Sequence, residues 1–308
     1  MKARPTDAAH YKDRQHQQWD RVAAGWEKWW RTIEDGAQHV NDRLVDLAEV
    51  TGGKRVLDIA TGIGEPALSA AIRVGSTGRV VATDISKQML DFARMRASTA
   101  GLTNVEFLEA DAERLDFPDH SFDAILCRWG ITSLPSYPSL LVKIKRMLAP
   151  RGLFATSVWD EASRLPLTSI ALSVAQEMFH SAPPRPEAPS EITEDSLESA
   201  MIRAGFADVR AEKSTVTLQL PSAEAFTQYL VDVSPVLSAL LFDQPPMWQK
   251  EFQFLLAQKF RRYSTGDGPF RVHNVSICAV GRKLVPAFFS FRAVAKAHMP
   301  KTSCSQIR

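Results

Sequence analysis

VLDIATGIGEPALSAA, residues 56–71, sets an apolar run against a turn with two glycines at a G-x-G spacing, followed by small apolar residues that suit a helix. A strand that ends in such a turn and feeds a helix opens many nucleotide-binding α/β domains. Gly62, Gly64 and Ala67 satisfy the formal G-x-G-x-x-G/A pattern. Taken alone the match is weak, because glycines cluster in ordinary turns. The surrounding chain has to carry the reading.

Outward from this stretch the pattern alternates between strand and helix. RVLDIA is a short strand, 66–73 a helix, RVVATD (79–84) a strand and 86–99 a helix closed by Gly101. NVEFLEAD (104–111), the strand FDAILC (122–127), a helix over 138–148 and GLFATSVW (152–159) follow. Strands rich in Val, Ile and Leu, separated by helices of this length, predict an α/β fold with a doubly wound, mostly parallel sheet. The ligand site is then expected in the loops at the carboxyl ends of the strands.

The turn's chemistry narrows the ligand. A pyrophosphate at a helix N-terminus needs free N–H donors and positive potential. Here Glu65 supplies a carboxylate, Pro66 removes a donor, and Asp58 adds a second acid near the strand end. These residues suit a ligand with an ammonium group, a positive centre and no phosphate, which describes S-adenosylmethionine. Asp84 stands 20 residues after Gly64, where a carboxylate can accept from both ribose hydroxyls. Asp111, after the third strand, can accept from an adenine amine.

With VLDIATGIGEPAL, VVATDIS, ADAERLDFPDHSFDAILCRWGI and LVKIKRMLAPRGLFATSVW in place, residues 50–160 resemble the class I S-adenosylmethionine-dependent methyltransferases, in particular the ubiquinone and menaquinone biosynthesis branch. The resemblance implies a seven-stranded Rossmann-like sheet with S-adenosylmethionine as cofactor. Asp58, Ala60, Gly62 and Gly64 would line the methionine end, Asp84 and Ile85 the ribose, and Asp111 and Ala112 the adenine. Backbone around Cys127 and Arg128 would reach the methionine moiety. Ala60 departs from the pattern, since many relatives carry glycine there.

Composition sets outer bounds. The 308 residues are 45% hydrophobic and 23% charged, an ordinary globular balance. A net charge of +2 gives no polyanion-binding signature, so nucleic acid is not an expected partner. No run approaches the roughly 18 apolar residues of a membrane span, and the first residues lack the apolar region of a signal peptide. Cys127, Cys278 and Cys304 are far apart, odd in number and without C-x-x-C spacing, which supports neither a disulfide framework nor a zinc site and fits a reducing cytoplasm. No metal is expected.

Four of the seven tryptophans fall in the first 30 residues. Trp19, Val22, Ala23, Trp26 and Trp30 recur at helical steps, predicting a helix over 14–33, with a second over 38–50. This N-terminal segment, 1–50, is expected over the cofactor cleft, with Trp26 or Trp29 closing on it. The core comprises 51–221 and 265–283. Thr193 is expected to cap a helix ending at Gly205, and DVRAEKSTVTLQL (208–220) and FRVHNVSICAVG (270–281) read as strands. His273, on the last strand, reads as a core residue. Between those strands, 222–264 reads as a helical cap broken by Pro235 and Pro245–Pro246. Phe226, Tyr229, Leu230, Val233, Leu237, Leu240, Leu241 and Phe242 would wall an acceptor pocket there, or pack on the domain body or on a second copy in a homodimer. A basic tail spans 284–308.

The expected function is methyl transfer to a small apolar or aromatic acceptor, on O, C or N. No general base stands out. The alternatives are a non-catalytic cofactor-binding protein for assembly or regulation and, disfavoured by Glu65, Pro66 and Asp58, a nicotinamide-dependent reductase.

Overall fold

The computed structural model describes residues 5–285 except 132–133, 135–136, 180–191 and 262–268. Its seven strands are β1 (Arg55–Ile59), β2 (Arg79–Asp84), β3 (Val105–Glu109), β4 (Phe122–Arg128), β5 (Leu148–Trp159), β6 (Ala207–Leu220) and β7 (Phe270–Arg282). They form one sheet in the order β3-β2-β1-β4-β5-β7-β6. β7 alone runs opposite to the other six strands, antiparallel to β5 and to β6. The order reverses between β1 and β4, which opens a crevice at their carboxyl ends.

The nine α-helices among the described residues are α1 (Pro5–Leu47), α2 (Ala67–Val74), α3 (Lys87–Thr99), α4 (Tyr137–Met147), α5 (Pro166–Phe179), α6 (Glu194–Arg203), α7 (Ala223–Val233), α8 (Pro235–Phe242) and α9 (Pro246–Phe260). In β1, Val56 through Ile59 are all buried, as a strand covered on both faces requires. One face packs Leu57, Ile59 and Ile125 against Leu140, Leu141 and Ile144 of α4 and Leu197 and Met201 of α6. The other packs Val56, Val80 and Leu126 against Ala67, Ala70 and Val74 of α2 and Val40 and Leu44 of α1. A third core joins α5, α7, α8 and α9 to the free ends of β6 and β7 around Phe226, Phe252 and Phe260.

The expected cap at Thr193 is present, and Ser86 and Ser234 add two more. Ser86 accepts from the Met89 N–H at the start of α3. Thr193 and Ser196 close a reciprocal capping box on α6. Ser234 caps α8 directly after α7, with Pro235 at its first turn, and the two helices meet at 87°.

Three expectations are corrected. The two N-terminal helices are one helix of 43 residues, α1. Gly36 marks no stop: a Cβ there would lie 2.6 Å from the Thr217 carbonyl oxygen, so the glycine lets α1 touch β6. Helix α5 was not foreseen. His273 lies outside the core, because Phe270 and Val272 of β7 point inward while Arg271 and His273 alternate outward, and its Nδ1 lies 2.9 Å from the Thr217 hydroxyl. The proline-rich stretch 182–189 and the tail beyond Val285 lie outside the described residues.

Candidate functional site

At the end of β1 the chain turns through two left-handed residues, Ala60 at φ 57° and Gly62 at φ 54°. An alanine in that region costs about 1–2 kcal/mol, so the fold has to hold it there. Gly130 faces it, and a Cβ on Gly130 would fall 2.5 Å from the Ala60 Cβ. Asp84 at the end of β2 then pins the loop. Its Oδ2 accepts from the Gly62 N–H at 2.8 Å and its Oδ1 from the Ser86 N–H at 2.9 Å. Burial raises the Asp84 pKa above the ordinary aspartate value, and these backbone donors oppose the shift. After β3, Asp111 caps a short 3-10 turn, Ala112–Arg114, by accepting from the Glu113 N–H at 2.9 Å.

These loops form one end of a cavity of about 560 Å³. Ala60, Gly62, Asp84, Ile85, Asp111, Ala112 and Arg128 border it. Asp58, Gly64 and Cys127 stand behind that wall. Asp58 is fully buried and accepts from the Ala67 N–H at 3.0 Å, so it fastens the start of α2. Burial pushes its carboxyl up to about 8. Gly64, at φ 108°, packs on Leu68 and Ala93.

Arg128 ends β4 in a buried network that sequence reasoning did not find. Its Nη1 and Nη2 donate to the two Glu34 carboxylate oxygens, each at 2.9 Å, and Nη1 also donates to Asn41 Oδ1 at 2.9 Å. Asn41 Nδ2 donates to Glu34 Oε2 at 2.8 Å. Burial alone would raise the Glu34 pKa, but the Arg128 charge and the bonds from Arg128 and Asn41 hold it below the ordinary range. Glu65, by contrast, is raised by burial and by the nearby Glu34 charge. Two polar residues seven apart on a helix read in sequence as a solvated face, which is why the pair was missed.

The opposite end of the cavity is apolar. Trp19, Trp26 and Ile33 of α1 wall one side, at seven-residue steps. Trp26 Nε1 donates to the Val233 carbonyl at 3.0 Å and Trp29 Nε1 to Asp232 Oδ2 at 2.7 Å, which ties α1 to α7. Thus Trp26 borders the cavity, and Trp29 instead sets its ring edge against Tyr229 at 5.9 Å. Trp129, left-handed at φ 60°, stacks on Trp159 at 4.2 Å and 17°. Tyr229, Leu230, Val233, Val236 and Leu237 close the far side with Ala171 and Leu172 of α5. Of the apolar residues expected there, Phe226, Leu240, Leu241 and Phe242 do not border the cavity. Phe226 is at the centre of the third core, and Phe242 is exposed beneath the Arg21 guanidinium.

A family model described as a methyltransferase domain matches residues 56–152, the span that builds the loops around Gly62, Asp84 and Asp111. Residues 56–152 carry a class I S-adenosylmethionine-dependent methyltransferase domain. Over 109 residues it is 39% identical to the ubiquinone/menaquinone biosynthesis C-methyltransferase UbiE of Ectopseudomonas oleovorans, a stretch covering 35% of this chain and 64% of that relative. The chain therefore spans less than two thirds of that curated relative. The fold is that of the YcgJ protein of Bacillus subtilis, with TM-score 0.56 and 19% identity over 80% of this chain and 99% of that one. It is also that of the [4+2]-cyclase SpnF, with TM-score 0.52 and 18% identity over 81% and 82% of the two chains.

The cavity of the methyltransferase domain fits the family's cofactor. The Thr61 hydroxyl on its wall is buried without a hydrogen-bond partner, and the left-handed Gly62 brings bare backbone to the same place. Glu65, Asp84, Asp111 and Glu113 border that end, while its one bordering cation among the described residues, Arg128, is already paired with Glu34. This potential suits a cationic sulfonium and repels a diphosphate. Among the described residues no cluster of ligands could hold a metal ion, and no single helix is long and apolar enough to cross a membrane.

Proposed function

We propose that this chain transfers the methyl group of S-adenosylmethionine to a small, apolar or aromatic acceptor. The observation that carries the reading is continuity. The loops bearing Gly62, Asp84 and Asp111 and the apolar wall of Trp129, Trp159, Tyr229 and Leu237 border one cavity, so an acceptor in the apolar end lies next to a cofactor in the acidic end. Bound there, S-adenosylmethionine would supply an electrophilic methyl group. The residues of this chain would then do three things. Asp84 and Asp111 would hold the ribose and adenine. The α1 wall at Trp19 and Trp26 would exclude water. Trp129 and Trp159 would offer a flat platform on which a planar acceptor stacks. Holding the nucleophile in line with the reacting methyl is worth up to about 7–11 kcal/mol, so positioning alone supplies much of the rate.

A second reading is binding of the cofactor without methyl transfer. It draws support from the likeness to SpnF, a [4+2]-cyclase on the same fold. One experiment separates them. S-adenosylhomocysteine formation is followed by mass spectrometry with a panel of phenols, quinols and amines, alongside calorimetric titration with S-adenosylmethionine and with NAD. Methyl transfer to any panel member supports the first reading. Tight S-adenosylmethionine binding with no transfer to any of them favours the second, and preference for NAD removes both.

A further inference from the structure

The acceptor end of the cavity is notable for the chemistry it lacks. Among its described bordering residues there is no histidine, lysine, cysteine or carboxylate; those acids all stand at the cofactor end. Tyr229 brings a phenol to this wall. This residue is 5% exposed, borders the cavity, and has no hydrogen bond to any described residue. Its ring is fixed on two sides, by the edge of Trp29 at 5.9 Å and by Phe226 at 5.9 Å and 45°. The phenol is thus a rigid, unspent donor. The charges of Arg128 and Glu34 both act on it electrostatically.

We propose that Tyr229 selects the acceptor by donating a hydrogen bond to its oxygen, and that the acceptor is a phenol or an enolisable carbonyl that enters as its anion rather than an amine. The inference rests on the methyl-transfer reading above. An acceptor anion needs no base: its lone pair forms the new bond to the methyl carbon while the S–CH₃ electron pair passes to sulfur, neutralising the sulfonium. No proton moves in that step when oxygen is methylated. The phenol or enol leaves its proton in water before it enters, and the Tyr229 hydroxyl meets the resulting charge; an alkylammonium has no lone pair until it loses a proton, and no carboxylate among the described residues at this end pairs with its charge beside Leu230, Val233 and Leu237. Burial raises the pKa of Tyr229 itself, and Glu34 adds to the shift while Arg128 opposes it. The residue therefore stays protonated at neutral pH, and is a donor and not a base.

The test uses the full chain saturated with S-adenosylhomocysteine and three probes of matched shape: 4-nitrophenol, whose visible absorption reports its phenolate, 4-nitrobenzylamine and 4-nitrotoluene. The phenolate is expected to bind more tightly than either of the others and to show a lowered apparent pKa when bound. Tyr229→Phe keeps the ring on Trp29 and should weaken phenolate binding about tenfold or more, the loss of one bond to a charged acceptor, with 4-nitrotoluene and cofactor affinities unchanged. Equal phenolate affinity in Tyr229→Phe overturns the inference, as does wild-type protein that binds the amine or 4-nitrotoluene as well as the phenolate. If the wild-type chain does not bind S-adenosylhomocysteine, the methyl-transfer reading falls instead.

Discussion

The two ends of the cavity are built by opposite means. The cofactor end is made of backbone: left-handed turns at Ala60 and Gly62, a carboxylate on two N–H groups, and a capped 3-10 turn, all from three successive strand ends within 56 to 114. The acceptor end is made of side-chain area from α1, the turn after β4, β5, α5, β6, α7 and α8, segments scattered from Trp19 to Leu237. A backbone device needs particular residues at particular spacings, whereas an apolar wall needs only bulk. The first end is therefore specified by local sequence and the second by tertiary packing.

The sharpest way to break that comparison is to cut the tie between the ends. Glu34→Ala leaves Arg128 buried without its partner, which should destabilise the protein by about 3–5 kcal/mol in chemical denaturation. Replacing both, as Glu34→Leu with Arg128→Met, should recover much of that loss. If Glu34→Ala is as stable as wild type, the pair does not join the ends.

Next in size is Asp84→Ala. It removes the acceptor for the Gly62 and Ser86 N–H groups along with the proposed ribose contact, and should weaken S-adenosylmethionine at least about tenfold by calorimetry, a loss of roughly 1.5–3 kcal/mol. Affinity for 4-nitrotoluene should not change, because the acceptor wall does not depend on that loop.

A pH scan sharpens the role of Asp58. Its carboxyl is raised from 3.8 to about 8 in the folded protein, so the stability linked to it is complete below its unfolded pKa and is lost as pH rises through about 8. Asp58→Asn keeps an acceptor for the Ala67 N–H but cannot ionise. The melting temperature of wild type should therefore fall, relative to Asp58→Asn, between pH 5 and about pH 9. A constant difference across that range would contradict the assignment.

The smallest effect is expected at Phe242. It lies outside the cavity, so Phe242→Ala should cost only the exposed contact with Arg21, about 0.5–1 kcal/mol, and leave acceptor binding unchanged.

The same contrast explains what could be read from the sequence. Strands β1 to β5, the cap at Thr193, and the positions of Gly62, Asp84 and Asp111 were legible because each rests on residues a few positions apart. The single helix α1 was not: its pattern reads as two helices, 14–33 and 38–50, and only the Thr217 carbonyl beside Gly36 explains a glycine within one continuous helix. Helix α5 was hidden by proline at its start and by apolar residues around its circumference. Asp58 was correctly placed at a strand end but faces α2 rather than the cavity, a distinction that depends on which way one carboxyl turns. Glu34 and Arg128 are 94 residues apart, and neither names the other.

Gly36 has a counterpart in Gly25, where a Cβ would fall 2.0 Å from the Asp232 carbonyl oxygen. Eleven residues are close to three full turns, so both glycines lie on one side of α1, about 16 Å apart along its axis. The helix is seated at two points, on α7 and on β6, and can neither roll nor slide without driving one Cα into a carbonyl group. The slot between Trp19, Trp26 and Ile33 on one bank and Tyr229 and Leu237 on the other therefore has a gauge fixed by main chain. Substitutions along its banks change which shapes fill the slot, while its width is inherited unchanged.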